Sequence, residues 1–268
     1  MRFAAALAAA VTVSSACVAA PPTRVASLHL CADQLLLALA DRDQIASITF
    51  LAAEPTASVM AEAARGLPVN RGKAEEIVSL RPDLVLAGPF SARSTVALLR
   101  SLGGRVVDLP YVGSFEGIRA QIAAVAELLG QPERGARLIA QMDSRLAAVA
   151  PPRGARLTAA AYQPGGFTAR AGSLEDAAIA AAGFDNLATR LDSGSGRVAL
   201  ETLAASAPDL LILGGEADHL PSQQARLLAH PALRALPSAR VYVPARLWTC
   251  GGWFAADAVA LLAAQRAR

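Results

Sequence analysis

Residues 75–88, EEIVSLRPDLVLAG, and residues 201–215, ETLAASAPDLLILGG, are two versions of one pattern. Each starts on a glutamate, places a proline seven positions on, continues Asp-Leu and ends an aliphatic run on glycine. A carboxylate in a first helical turn, a proline that stops the helix and an unbroken apolar run describe a short helix feeding a buried strand. The likeness extends outward. RSLGGRVVDLP from Arg100 matches RALPSARVYVP from Arg234 in its arginine, the leucine two later, the Arg-Val of a strand and the closing proline. Arg100 and Arg234 are 134 residues apart, Pro82 and Pro208 126, so the paired elements differ by a modest insertion. The chain reads as two similar α/β lobes. The plainer alternative is that Pro-Asp-Leu and an aliphatic run favour helix-to-strand transitions in any α/β protein.

Around these blocks, strands and helices alternate. RVASLHL from Arg24, QIASITF, PDLVLAG and GRVVDLP are strand candidates, with helix formers between them. ARLTAAAY, PDLLILGG and ARVYVP repeat the arrangement later. Such alternation predicts parallel βα units, and continuous apolar strands predict a sheet covered on both faces. Gly103 and Gly183 suit left-handed helix ends, and Ser173 suits an N-cap with Glu175 and Asp176 in the first turn. The middle breaks the rhythm. Ile118, Ile122, Val125 and Leu129 recur at helical spacing, Gly130 interrupts, and Pro132 opens a second amphipathic stretch that runs to Pro151-Pro152. The fold class expected is α/β: two small Rossmann-like lobes with parallel sheets joined by a long helix. The expected boundaries are 21–130, a linking helix at 131–150, and 151–268.

Residues 1–20 read as a secretory signal: Arg2, an apolar run of Ala, Leu and Val, then small residues before Pro21-Pro22. The run is too short to span a membrane. Cleavage is expected near Ala20, with lipidation at Cys17 as the alternative; Ser14-Ser15-Ala16 lack the leucine usual before a lipidated cysteine. A soluble protein outside the cytoplasm is expected. Of 268 residues, 54% are hydrophobic and 18% charged, which supports a sizeable core and argues against disorder. A net charge of +3 without a basic run gives no case for nucleic acid. Lys73 is the sole lysine, so a single arginine carries less functional weight than usual.

The chain resembles the substrate-binding proteins of ABC importers for ferric siderophores, cobalamin and haem. The resemblance rests on VASLHLCADQLLLAL, EEIVSLRPDLVLAG, AGSLEDAAIAAAGFDNLA and ETLAASAPDLLILGG, in that order, and covers nearly all of the mature chain. It implies a rigid two-lobed receptor, monomeric and without cofactor, that captures a small-molecule metal chelate in its cleft and docks on an ABC permease homodimer in the inner membrane. A ferric siderophore is the ligand expected first, with cobalamin or haem as alternatives. The enzyme alternative finds little: no G-x-G-x-x-G after the first strand, no phosphate loop, no H-E-x-x-H and no G-x-S-x-G. His29, His219 and His230 are scattered. A small-molecule enzyme on a doubly wound fold stays open only because fold does not fix function.

In open α/β sheets ligands bind beyond the carboxyl ends of the strands. The loops expected there carry His29 and Cys31, Phe50, Phe90 with Arg93, and Tyr111 in the first lobe. In the second they carry Tyr162 to Arg170, His219, and Arg246 with Trp248 to Trp253. Arg71 and Arg197 lie just before the duplicated glutamate segments. Guanidinium forks suit the oxygen pairs of a chelate, and aromatic faces suit a macrocycle. The candidate ligand-binding residues are thus His29, Cys31, Phe50, Arg71, Phe90, Arg93, Tyr111, Arg170, Arg197, Arg246, Trp248 and Trp253. Phe50 and Phe90 read equally as plain core. Cys31 and Cys250 stand in the first and last loops, where a disulfide, two separate buried thiols, or a soft-metal site with His29 are all consistent with the sequence. In the resembling family the glutamates matching Glu75 and Glu201 meet permease arginines; as first-turn carboxylates they are also explained by the helix dipole alone. Gln131 to Val149 is expected to form one stiff helix, so ligand binding should change the shape little.

Overall fold

The computed structural model describes residues 20–150, 154–191, 194–214 and 227–267. The first lobe runs β1 (Val25–Ser27), α1 (Leu30–Leu39), β2 (Ile45–Thr49), α2 (Ala61–Ala64), β3 (Val69–Asn70), α3 (Ala74–Leu80), β4 (Leu84–Ala87), α4 (Arg93–Ser101) and β5 (Val106–Asp108). Two helices follow without a strand, α5 (Phe115–Leu128) and α6 (Pro132–Ala147). The second lobe has β6 (Thr158–Tyr162), α7 (Leu174–Ala181), β7 (Asp185–Asn186), α8 (Ala188–Leu191), α9 (Leu200–Ser206), β8 (Leu210–Gly214), α10 (Pro231–Arg234), β9 (Ala239–Val243) and α11 (Ala255–Ala263). Among the described residues no helix is long and apolar enough to cross a membrane. The signal segment, Cys17 and His219 fall outside the described residues.

Both sheets are parallel, in the orders β3-β2-β1-β4-β5 and β7-β6-β8-β9. Laid over each other, β6, β7, β8 and β9 take the places of β1, β2, β4 and β5, so the duplicated blocks occupy matching positions. The match reaches atomic detail. α3 and α9 end on Arg81 (φ 47°) and Ala207 (φ 40°), the two non-glycine residues with positive φ among those described. Each precedes the proline, which keeps its neighbour out of the right-handed helical region and ends the helix there. The following aspartate then anchors the next strand over. Thr23 donates its N–H and hydroxyl to Asp83 Oδ2, and Thr158 does the same to Asp209 Oδ2.

α6 opens with Pro132 at its first position and Gln131 as N-cap. It binds both lobes: Asp143 pairs with Arg119 of α5 at 2.7 Å, and Arg145 pairs with Asp257 of α11 at 2.8 Å. One apolar core passes from Leu35 and Ile122 through the fully buried Met142 to Phe184 and Val259. The lobes are therefore continuous in packing as well as in chain.

Candidate functional site

The carboxyl ends of the two sheets face one another. Cys31, just after β1, is joined by a disulfide to Cys250, beyond β9, across a sequence separation of 219. The thiols are consumed in that bond, which rules out the soft-metal reading. Among the described residues no group of three or more His, Cys, Asp or Glu is placed to hold a metal. Close by, the lobes approach each other at two glycines. A Cβ on Gly113 would overlap the Gly172 carbonyl oxygen, and one on Gly251 would overlap Val112. These contacts form the cleft floor.

Two chambers open above it, sharing Tyr111. One is a narrow crevice of about 30 Å³ bounded by His29, Pro89, Phe90, Leu109, Gln121 and Thr249. The other, about 420 Å³, is bounded by Tyr111 from the first lobe and by Gln163, Phe167, Thr168, Arg170, Ser173, Glu175 and Ser195 from the second. The first-lobe wall is apolar and aromatic; the second-lobe wall is mostly neutral and hydrogen-bonding. His29 lies flat against Gly88 and stacks with Phe90, ring centroids 5.8 Å apart. Burial pulls its imidazole below the ordinary value, so it is neutral at pH 7. Burial, then the Glu175 carboxylate, push the Tyr111 phenol up. On the rim, Arg71 lies over the Phe50 ring at 5.2 Å, and Arg197 over Phe167 at 4.1 Å. Each of these arginines stands four residues before the duplicated glutamate of its lobe.

Of the residues singled out from sequence, His29, Cys31, Phe90, Tyr111 and Arg170 line the chambers. Phe50, Arg71 and Arg197 form the rim pairs. Arg93 opens α4, exposed, and lines neither chamber. Arg246 sits half-buried in a short turn after β9. Trp248 and Trp253 are corrections: they are only 4% and 8% exposed and pack in the core, because their loop folds inward to seal the lobe junction. Gln163, Phe167 and Glu175 were not singled out as ligand residues. Phe167 had a sequence signal, an aromatic in a loop after a strand, matching Phe50 and Phe90.

Glu75 and Glu201 are both exposed in the first turns of α3 and α9. Adjacent Glu76 is committed elsewhere: its Oε2 accepts from the N–H groups of Arg71 and Lys73, which hold its carboxyl below the ordinary value.

The periplasmic binding protein family matches residues 25–243. The chain belongs to that family. A periplasmic binding protein binds and releases rather than transforms, which removes the enzyme alternative. The chain is 32% identical over 215 residues to a cobalamin-binding protein of Halobacterium salinarum, covering 78% of this chain and 58% of the relative's length. The chain thus spans little more than half of the curated relative it matches. The fold is that of the apo periplasmic haem-binding protein RhuT of Roseiflexus sp. RS-1, with 24% identity, 91% and 96% of the two chains covered and a TM-score of 0.72. It is also that of the periplasmic vitamin B12 binding protein BtuF of Vibrio cholerae, with 18% identity, 92% and 97% covered and a TM-score of 0.65.

Proposed function

We propose that this periplasmic binding protein is the substrate-binding component of an ABC importer, that a cobalamin-type corrinoid occupies its interlobe cleft, and that it passes the ligand to a membrane permease. The carrying observation is the placement of aromatic rings. The chain has only seven Phe, three Tyr and two Trp. Phe50, Phe90, Tyr111 and Phe167 are all exposed, Phe90 by 80%, and all stand beyond the carboxyl ends of strands around one cleft. Exposed rings grouped in this way suit the face of a large, flat, partly apolar ligand. His29, Phe50, Arg71, Phe90, Tyr111, Arg170 and Arg197 are its proposed contacts, and Glu75 and Glu201 the proposed docking carboxylates. The protein acts in the periplasm as a monomer, exported by residues 1–20.

A haem or ferric-siderophore ligand is the second reading, favoured by Arg170 and Arg197 at the chamber edge, whose forks suit carboxylate or chelate oxygens. Equilibrium dialysis against cyanocobalamin, haemin and a ferric hydroxamate separates the two. Micromolar or tighter binding of cyanocobalamin alone is expected. Preference for haemin or the hydroxamate moves the assignment, and binding of none of the three removes this ligand class.

A further inference from the structure

Behind the first-lobe wall lies a buried acid that ligand binding does not use directly. Asp33, in the first turn of α1, is fully buried. Its Oδ1 accepts from the Thr49 N–H at 3.0 Å and its Oδ2 from the Thr49 hydroxyl. Thr49 ends β2 and is followed directly by Phe50. Asp33 also donates its own N–H to the His29 carbonyl at 2.9 Å. One residue therefore ties the turn that carries His29 and Cys31, through its backbone N–H, to the strand end that carries Phe50, through its carboxyl. The network continues beneath the wall. The Ser27 hydroxyl donates to the His29 carbonyl, Asn70 Nδ2 donates to Ser27 O and Ser47 Oγ, and Asn70 Oδ1 accepts from Gly72 N–H, next to Arg71.

Among the described residues Asp33 has no ion pair. β1, β2 and the turn at residues 50–53 contribute no charged side chain. From α5, Arg119 is paired with Asp143, and Glu116 and Glu127 are exposed. The other titratable group at this end of α1 is His29, which burial keeps neutral at pH 7.

We propose that Asp33 is a positioning residue for the cleft: its carboxylate holds the Phe50 strand end in register against the start of α1, beside the His29 turn, and its protonation loosens that tie. This rests on the cleft being the binding site. Charge-assisted hydrogen bonds are shorter and stronger than neutral ones, so the ionised form grips Thr49 harder. A protonated oxygen becomes a donor, and the Thr49 hydroxyl must then turn to accept. Burial raises the Asp33 pKa to about 6 against the opposing Thr49 bonds, which places the change in a mildly acidic range.

The experiment follows the backbone amides of Thr49 and Phe50 by NMR in ¹⁵N-labelled protein from pH 5 to 7.5, alongside cyanocobalamin affinity. Both amides should titrate together near pH 6 in the wild type and be flat in Asp33→Asn, which keeps the shape but cannot ionise. Affinity should fall roughly fivefold towards pH 5, since charge-assisted bonds are about twice as strong as neutral ones, and Asp33→Asn should stay at the weaker level throughout. Thr49→Val, which removes only the hydroxyl donor, should weaken binding at pH 7.5 while the Thr49 amide still titrates. A flat Thr49 amide in the wild type overturns the proposal whether or not a ligand binds. So does a titrating Thr49 amide with an unmoved Phe50 amide, or with pH-independent affinity. If cyanocobalamin does not bind at any pH, the ligand assignment falls, and the Phe50 amide alone decides the positioning role.

Discussion

Cys31 and Cys250 are bonded with their Cα atoms 5.2 Å apart, and they join the first turn of α1 in one lobe to the loop after β9 in the other. A cross-link spanning 219 residues removes much of the loop-closure entropy of the unfolded chain, an effect of about 5 kcal/mol. Reduction, or the Cys31→Ser/Cys250→Ser pair, should lower unfolding stability by that order in urea titrations. Native mature protein should show neither thiol to a thiol reagent until it is denatured and reduced. Reactive Cys31 or Cys250 in the untreated fold would contradict the bond.

The same junction limits motion. α6 is clamped at Asp143 and Arg145 to helices of opposite lobes, and bending a helix breaks its hydrogen-bonded ladder. With the disulfide closing the floor, the lobes are braced at three points. Small-angle scattering curves with and without cyanocobalamin should nearly superimpose. A marked fall in radius of gyration on binding would show that the clamp yields.

A second consequence of the duplication concerns the strand anchors. The N–H and hydroxyl of Thr158 hold the Asp209 carboxyl below its ordinary value of 3.8. At Asp83 burial pushes the other way, but the bonds from Thr23 and Arg24 outweigh it. A depressed folded pKa stabilises above the unfolded value and is lost as pH falls through the folded one. Asp209→Asn should therefore cost about 1 kcal/mol at pH 7, a modest figure because the carboxylate is exposed and screened. The gap to wild type should close in strong acid. A gap that is constant with pH would mean shape, not charge, anchors β6.

Much of this architecture is legible in the chain because proline, aspartate and glycine punctuate it. The Pro-Asp-Leu blocks mark β4 and β8, Ser173 caps α7 by accepting from the Asp176 N–H, and Gly183 adopts φ 88° just past its end. β3 and β7 escape such reading: two residues each, Val69–Asn70 and Asp185–Asn186, they have no apolar run to announce them. Trp248 and Trp253 mislead for another reason. A loop position suggests exposure, yet this loop folds inward, a tertiary fact no local pattern carries. Asp33 shows the same gap, since an acid in a first helical turn needs no partner to be explained, and Thr49 becomes its partner only once β2 lies beside α1.

The duplicated glutamates return as the final prediction. Glu75 and Glu201 occupy matching helices in matching sheets, both exposed, each four residues after an arginine stacked on a phenylalanine. A carboxylate in a first turn gains from the helix dipole, which explains either one separately. In the first lobe, however, the hydrogen bonding to the helix start falls to Glu76, which accepts from Arg71 and Lys73, and among the described residues no hydrogen bond or ion pair engages the Glu75 side chain. A carboxylate left free on the rim, with a counterpart in the other lobe, fits a partner made of two identical subunits offering matched cations. Converting Glu75 and Glu201 together to arginine should leave cyanocobalamin affinity within about twofold of wild type, since rim charges act mainly on association with a partner. Uptake in whole cells should be abolished, and Glu76→Gln should cost helix stability without touching transport. Undiminished uptake by the double charge reversal would reduce both glutamates to helix caps and leave the repeat as a record of the fold's duplication.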